Sequence, residues 1–154
     1  AATFASRHSY FATSQRVQAF ISSCERLGIE TDEKYILKGS STRNGGYEIG
    51  KQYAALKEPP KMIFCDSDAI ALGALRAFHE EGISVPGDAE LLSIGMLDPE
   101  AASYYVPSLS VVEMPNKEIG QQVLRLMRKK VLNNDMSSEH VKVHAKLMLR
   151  ESFS

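Results

Sequence analysis

Three polar residues, Asp66, Ser67 and Asp68, interrupt an apolar segment of the sequence where a helical pattern begins. Side chains of this kind can bind a ligand, act in catalysis, or accept the free N–H groups of a first helical turn. Because Asp is a good N-cap, we expect Asp68 to cap the helix. Ser67 and Asp66 are then free to face a cleft, since ligands of open α/β sheets bind at the carboxyl ends of the strands.

The elements that carry these residues alternate between strand and helix along almost the whole chain. Predicted strands cover residues 1–5, 35–38, 61–65, 90–95, 109–113 and 141–149, and predicted helices cover residues 12–27, 47–56, 68–81 and 116–132. A polar turn, STRNGG, is predicted at residues 41–46. Because the connections are short, the alternation predicts an α/β fold with a mostly parallel sheet and helices on both faces.

Composition excludes several classes of protein. The 154 residues include 18 Lys and Arg against 19 Asp and Glu, so the chain alone has no positive field for nucleic acid. No apolar run approaches the length of a membrane span. Cys24 and Cys65 lie within apolar patterns, which favours buried free thiols in a reducing cytosol.

The first residues read like a strand from the middle of a domain, so we expect a fragment of a longer protein.

The helix predicted at residues 68–81 is apolar nearly all round. Between Ala69 and Phe78 only Arg76 is polar, although a helix that covers a sheet needs a single apolar stripe. A second subunit is therefore expected to cover its outer face, and a deeply central helix is the alternative. The residues predicted at this homodimer interface are Ile70, Leu72, Gly73, Leu75, Phe78 and Tyr104.

The segments MIFCDSDAIALGALRAFHEEGISVPGD, YVPSLSVV and LMLRESFS together resemble the lactose/galactose-repressor family of bacterial transcription regulators. The resemblance implies a periplasmic-binding-protein-like (type I) fold, in which two subdomains enclose an effector. By this resemblance residues 1–108 form the C-terminal subdomain. Residues 109–134 form a crossover strand and helix of the N-terminal subdomain, residues 135–154 return to the C-terminal subdomain, and the DNA-binding head is absent.

The resemblance also implies where an effector binds. Arg16 matches a family arginine that grips hydroxyls or a carboxylate, and the alternative is a surface arginine that pairs with a carboxylate such as Asp66. Four positions differ from the usual family residue: Ser41 replaces an aromatic residue, Ser67 an Asn, Leu97 (beside Asp98) an Asp, and Met114 a Gln. Tyr10 lies in a loop that could supply an aromatic wall. These differences favour an unusual or more apolar effector, or no effector at all.

The sequence thus predicts a non-catalytic effector-binding and dimerisation domain of a cytoplasmic regulator that senses a sugar or a related small molecule. No cofactor and no membrane partner are expected, and DNA would be bound only through the missing head. Two alternatives stay open: a doubly wound, phosphate-handling enzyme domain that uses Asp66 and Asp68, and a fragment of an extracytoplasmic sugar-binding protein. His140 and His144 predict no metal site, because four residues along a strand place them about 13 Å apart.

Overall fold

Six strands form one sheet in the computed structural model, which describes residues 1–7, 11–95, 100–133 and 137–153. The strands are β1 (Ala2–Ser6), β2 (Ile36–Gly39), β3 (Met62–Cys65), β4 (Glu90–Gly95), β5 (Ser110–Glu113) and β6 (Lys146–Met148). The helices are α1 (Phe11–Arg26), α2 (Arg43–Ala54), α3 (Asp68–Glu81) and α4 (Asn116–Asn133). The strand order is β2-β1-β3-β4-β5-β6, and β6 alone runs antiparallel to its neighbour. The predicted mostly parallel α/β sheet is confirmed.

Aromatic packing shows that helices cover both faces of the sheet. Phe4 of β1 packs edge-on against Tyr53 of α2 and Phe78 of α3, with ring centroids 5.6 and 6.2 Å apart. Phe64 of β3 stacks on Phe20 of α1, with centroids 4.9 Å apart. Phe4 pairs in register with Cys65, so Phe64 points to the other face, because side chains alternate along a strand. Helix α1 therefore lies on one face, and α2 and α3 lie on the other.

Helix α2 begins earlier than the sequence predicted. The hydroxyl of Thr42 accepts a hydrogen bond from the Gly45 N–H at 3.1 Å, so Thr42 is the N-cap and the predicted turn at residues 41–46 is mostly helix. The glycines serve close packing, not a turn. A Cβ atom built on Gly46 would lie 2.1 Å from the carbonyl oxygen of Ile70, so only glycine lets α2 approach α3 this closely.

This close approach corrects the prediction for three interface residues. The second apolar side of α3 is covered by α2 of the same chain, and Ile70, Gly73 and Phe78 are buried within it. For these three residues the alternative prediction, a helix buried within the chain, describes the structure. Leu72 and Leu75 are half-buried. These two leucines remain predicted contacts of a partner subunit, as does Tyr104, which is 76% exposed.

The strand predicted at residues 141–149 is reduced to the three residues of β6. Residues 141–145 form no regular element, and Val141, Leu147 and Leu149 of its apolar side are exposed. Because β6 pairs with β5 alone at the sheet edge, alternation of residue type in the sequence was not enough to extend it.

The C-terminal segment is anchored in the sheet by Ser152, which is fully buried. Its hydroxyl accepts a hydrogen bond from the Ser110 N–H at 2.8 Å and donates one to the Leu91 carbonyl oxygen at 2.7 Å. One side chain thus joins the end of the chain to both β4 and β5.

Helix α4 differs from the other helices because its apolar residues face solvent. Among the described residues it makes no extensive contact with the sheet or with α1 to α3. Val123, Leu124, Met127, Val131 and Leu132 are each at least half exposed. Strand β5 pairs with β4 along its length, so it is part of this sheet. The assignment of residues 109–134 to a second subdomain stays a prediction. None of the described helices is both long enough and apolar enough to span a bilayer.

Candidate functional site

A cleft of about 240 Å³ opens at the carboxyl ends of the first three strands. The residues that line it are Ser6, Thr13, Arg16, Ser41, Asp66, Ser67, Asp68 and Ala69. They come from the end of β1, the start of α1, the β2–α2 turn and the β3–α3 junction. Parallel strands end at the same edge of a sheet, so residues far apart in sequence meet here, as is usual for ligand sites of open α/β folds.

Arg16 reaches across the cleft from α1 to the end of β3. Its Nη1 donates a hydrogen bond to the backbone carbonyl oxygen of Asp66 at 3.0 Å. The hydrogen bond therefore goes to the backbone rather than to the Asp66 carboxylate, which was the alternative partner considered from the sequence. This contact holds one terminal nitrogen of the guanidinium at the cleft wall and leaves Nη2 and Nε for other partners. A guanidinium in that position is suited to bind ligand hydroxyls or a carboxylate.

Asp66 is buried and connects β3 to β1. Its Oδ2 accepts a hydrogen bond from the Ser6 N–H at 2.9 Å. Its Oδ1 is buried and makes no hydrogen bond of normal length and angle with the described residues, and the same is true of the Ser6 hydroxyl. Burial raises the pKa of the Asp66 carboxyl group, and the Ser6 N–H, the Arg16 charge and the hydroxyls of Thr13 and Ser67 oppose the rise. The cleft wall thus contains two buried polar groups that are not fully satisfied.

Replacing Asp66 by Asn should change how stability depends on pH. A carboxyl group whose pKa is raised by folding holds its proton more tightly in the folded state, so its ionisation lowers the free energy of unfolding as pH rises above about 4. Asn keeps an oxygen that can accept the Ser6 N–H but does not ionise. We expect Asp66→Asn to be at least as stable as the wild type at pH 7, and its advantage to disappear towards pH 3.

Urea denaturation of both proteins between pH 3 and pH 8 checks this, and the difference between the two curves is the informative quantity. Exposed carboxyl groups such as Asp88 and Glu151 have lowered pKa values, because the N–H groups of Ser84 and Ser108 bind them. Their contribution to the free energy of unfolding rises with pH and cancels in the difference. If the difference in the free energy of unfolding between the two proteins does not change with pH, the raised pKa of Asp66 is contradicted.

Ser67, not Asp68, is the N-cap of α3, which corrects the prediction from the sequence. The Ser67 hydroxyl accepts from the Ile70 N–H at 3.4 Å, a long hydrogen bond, while Asp68 lies in the first helical turn and is buried. Both residue types favour this role, so composition alone did not decide between neighbouring positions. At the other end Gly82 closes the helix in the left-handed conformation, with φ of 71°.

The structure brings together four of the predicted effector-binding residues, Arg16, Ser41, Asp66 and Ser67, which all line the cleft. Met114 follows β5, two strands away from β3, and is not part of the cleft wall. The predictions at Tyr10, Leu97 and Asp98 lie outside the described residues.

Sequence reasoning missed Ser6 and Thr13 as parts of the cleft. Two signals were present for them. Ser6 ends β1 at the same sheet edge as the Asp66 junction. Thr13 precedes Arg16 by three residues on α1, and residues three apart share one side of a helix.

Within the described ranges, no three His, Cys, Asp or Glu side chains converge in a way that could hold a metal ion. Cys24 and Cys65 are buried free thiols, as predicted.

Comparison with known proteins extends these observations to the whole chain. A family profile described as a periplasmic binding protein-like domain matches residues 2–153. The HTH-type transcriptional repressor PurR of Mannheimia succiniciproducens is 30% identical over 138 residues, which are 90% of this chain and 41% of PurR. The HTH-type transcriptional repressor CytR of Escherichia coli K12 is 32% identical over 133 residues, covering 86% of this chain and 37% of CytR. The chain therefore spans about two fifths of the length of these curated relatives.

Solved structures agree with this relationship. A LacI family transcription regulator from Clostridium acetobutylicum superposes with a TM-score of 0.90 at 30% identity, covering 97% of this chain and 55% of that one. The Escherichia coli transcriptional repressor ascG superposes with a TM-score of 0.83 at 28% identity, covering 99% and 54%. The similarity thus extends over both the sheet and the cleft, and we conclude that the chain belongs to the periplasmic binding protein-like family, in the form found in LacI-family transcription regulators.

Proposed function

We propose that this chain is the effector-binding and dimerisation part of a LacI-type transcription regulator and that the cleft beside Arg16 binds the effector. The observation that supports this most strongly is the meeting of Arg16, Ser41, Asp66 and Ser67 at the carboxyl edge of the sheet. These residues come from three separate segments, so their proximity is a property of the fold rather than of one local motif. The similarity to the repressors PurR and CytR supports the same proposal.

The chemistry of the cleft favours a small ligand that carries hydroxyl or N–H donors. Asp66 Oδ1 and Ser6 Oγ are buried and make no hydrogen bond of normal length and angle with the described residues, whereas buried polar groups usually make one. A ligand donor near these atoms would provide what the protein does not. Ser41 and Ser67 add further hydroxyls to the wall, whereas the described residues that line the cleft include no aromatic ring. Sugars, nucleosides and nucleobases have the required donors.

A binding screen tests the proposal. The purified chain is titrated with sugars, nucleosides and nucleobases in thermal-shift experiments, and compounds that raise the melting temperature are measured by calorimetry. We expect at least one compound to bind with one site per chain and without a chemical change. If no compound binds, the effector proposal is contradicted. Turnover of a phosphate compound would also contradict it and would support the enzyme alternative.

We infer that binding acts on a regulator by changing the relative population of two arrangements of subdomains. The exposed apolar side of α4 supports placing that helix against a second subdomain, which would complete the cleft. An effector that contacts both subdomains has unequal affinity for their open and closed arrangements, and this difference is what a regulator transmits. In this proposal a part of the regulator outside these residues binds DNA, which places the protein in the cytoplasm.

The two alternatives from the sequence have less support. In the enzyme alternative Asp66 and Asp68 are catalytic, but the Asp66 carboxylate accepts the backbone N–H of Ser6 and is buried. An extracytoplasmic sugar-binding protein would share the fold. The curated relatives reported above, however, are repressors that match 86% and 90% of this chain.

The dimer is proposed to form through the exposed parts of α3 and the segment around Tyr104. Leu72 lies half-buried on α3, and Tyr104 is 76% exposed. Introducing a charge into such a contact leaves it desolvated without a partner, so Leu72→Lys should prevent association. Light scattering should give twice the chain mass of 17.0 kDa for the wild type and 17.0 kDa for the variant.

Leu27→Lys is the matched control, because Leu27 is 74% exposed at the end of α1, far along the chain from α3. It should leave the measured mass unchanged. A wild-type monomer, or a Leu72→Lys variant that remains a dimer, would contradict the proposed interface.

A further inference from the structure

A second cleft of about 220 Å³ lies directly beside the effector cleft. Ser6 and Thr13 line both clefts, so the two clefts adjoin at these residues. Arg7 and Lys38 also line the second cleft, together with uncharged residues of β1 and α1. Unlike the effector cleft, which contains Asp66 and Asp68, the second cleft has two cations and no carboxylate among the described residues of its lining.

The fold holds the two cations next to each other. Lys38 of β2 pairs in register with Ala5 of β1, and Gly39 pairs with Ser6. Arg7 follows β1, and its N–H donates to the carbonyl oxygen of Gly39 at 2.5 Å. The backbone around both residues is therefore fixed by strand pairing, while both side chains are exposed. Two positive side chains on adjacent, paired strands repel one another unless an anion lies between them.

No carboxylate of the described residues forms an ion pair with Arg7 or Lys38. Glu48 lines a different hollow together with Arg7 but forms no ion pair with it. The Ser6 hydroxyl, which is buried and makes no hydrogen bond with the described residues, belongs to a residue that lines both clefts. An anion placed there would meet two positive charges and a hydroxyl donor, the combination that binds phosphate groups.

The size of the clefts supports joint occupation by one ligand. Small-molecule sites usually enclose about 300–1,000 Å³, so each cleft alone is small and the two together fall within that range. We propose that the effector is a phosphate monoester, whose hydroxylated or heterocyclic part binds beside Arg16 and Ser67 and whose phosphate binds between Arg7 and Lys38. This inference rests on the proposed function, because it assumes that the first cleft holds an effector.

Inorganic phosphate is the first probe, and amide chemical shifts of the chain are followed at constant ionic strength. We expect the amides of Ser6, Arg7 and Lys38 to shift together with a single dissociation constant. Lys38→Gln should raise that constant about tenfold, since a charge-assisted hydrogen bond contributes about that much. Lys57→Gln is the control, because Lys57 is an exposed lysine in the loop before β3, at the amino ends of the strands rather than at their carboxyl ends. It should leave the constant unchanged.

The second probe is a set of matched pairs, such as ribose with ribose 5-phosphate and adenosine with adenosine 5′-monophosphate. For the pair that binds, the phosphorylated member should bind at least about tenfold more tightly, and Lys38→Gln should remove that advantage without changing the affinity of the neutral member. The inference is overturned if phosphate shifts no amide near Arg7, or if it binds equally well to Lys38→Gln. In either case the phosphate is an adventitious ion only. If neutral compounds still bind in that case, the proposed function stands. If phosphate binds as expected but no member of any pair binds, the proposed function fails, and the effector assignment fails with it.

Discussion

The Gly73→Ala variant should be less stable than the wild type by about 3 kcal/mol. A Cβ atom on Gly73 would lie 1.9 Å from the carbonyl oxygen of Arg43 and 2.5 Å from the backbone nitrogen of Tyr47. Both are backbone atoms of α2, so no side-chain rotation can relieve the overlap. The two helices must move apart, and the contacts of Gly46 with α3 must loosen at the same time. Urea denaturation followed by circular dichroism measures the change.

Gly120→Ala is the matched control for this experiment. Gly120 lies in α4, and a Cβ atom built there would meet no other atom within 4 Å. Alanine has the higher helix propensity, so this variant should be more stable by about 0.5–1 kcal/mol. If Gly→Ala lowers stability at residue 73 and raises it at residue 120, the lower stability of Gly73→Ala results from the packing of α2 against α3. If Gly73→Ala unfolds at the same urea concentration as the wild type, the close contact between α2 and α3 is wrong.

The Arg16→Gln variant should lose most of its affinity for whichever compound of the binding screen is retained. Glutamine is shorter, uncharged and cannot provide the paired N–H donors of a guanidinium. Hydrogen bonds from a charged group contribute about 1.5–3 kcal/mol, so the dissociation constant should rise about 10- to 150-fold. Calorimetry at pH 7 measures the dissociation constants of the wild type and of the variant directly.

The contact between Arg16 and the Asp66 carbonyl oxygen also supports the fold, so the melting temperature of the variant must be measured beside its affinity. Arg26→Gln is the matched control, because Arg26 is exposed at the opposite end of the same helix, where it contacts Ser23. It should bind as the wild type does. A variant at Arg16 that is folded and binds with wild-type affinity would remove this residue from the site.

Alternation and capping signals located most elements of the fold. The bounds of α3 and β4 agree with the prediction because both ends of each element have local signals, such as Gly82 after α3. The errors arose where tertiary contacts decide. Gly46, which indicated a turn, is part of the contact between α2 and α3, and Gly45 packs against the backbone of Ser40 before α2. Strand β6 is short because, among the described residues, no further strand pairs with its outer edge.

The candidate site was predicted in part, for a similar reason. Residues next to strand ends, such as Asp66 and Ser67, could be found from their position after an apolar run. The contribution of Ser6 depends on which strands are neighbours in the sheet, and strand order does not follow from the local sequence. The same limit applied to part of α3, because Ile70, Gly73 and Phe78 were predicted to contact a partner subunit although α2 of the same chain covers them.

Chemical-shift mapping of the bound compound tests most directly whether the cleft beside Arg16 is the effector site. The chain labelled with ¹⁵N is titrated with the compound that binds most tightly in the screen. The largest changes are expected at the amides of Ser6, Thr13, Arg16, Ser41 and Ser67, with little change along α4. Changes confined to the outer surface of α2 and α3 or to α4, with those five amides unaffected, would contradict the account.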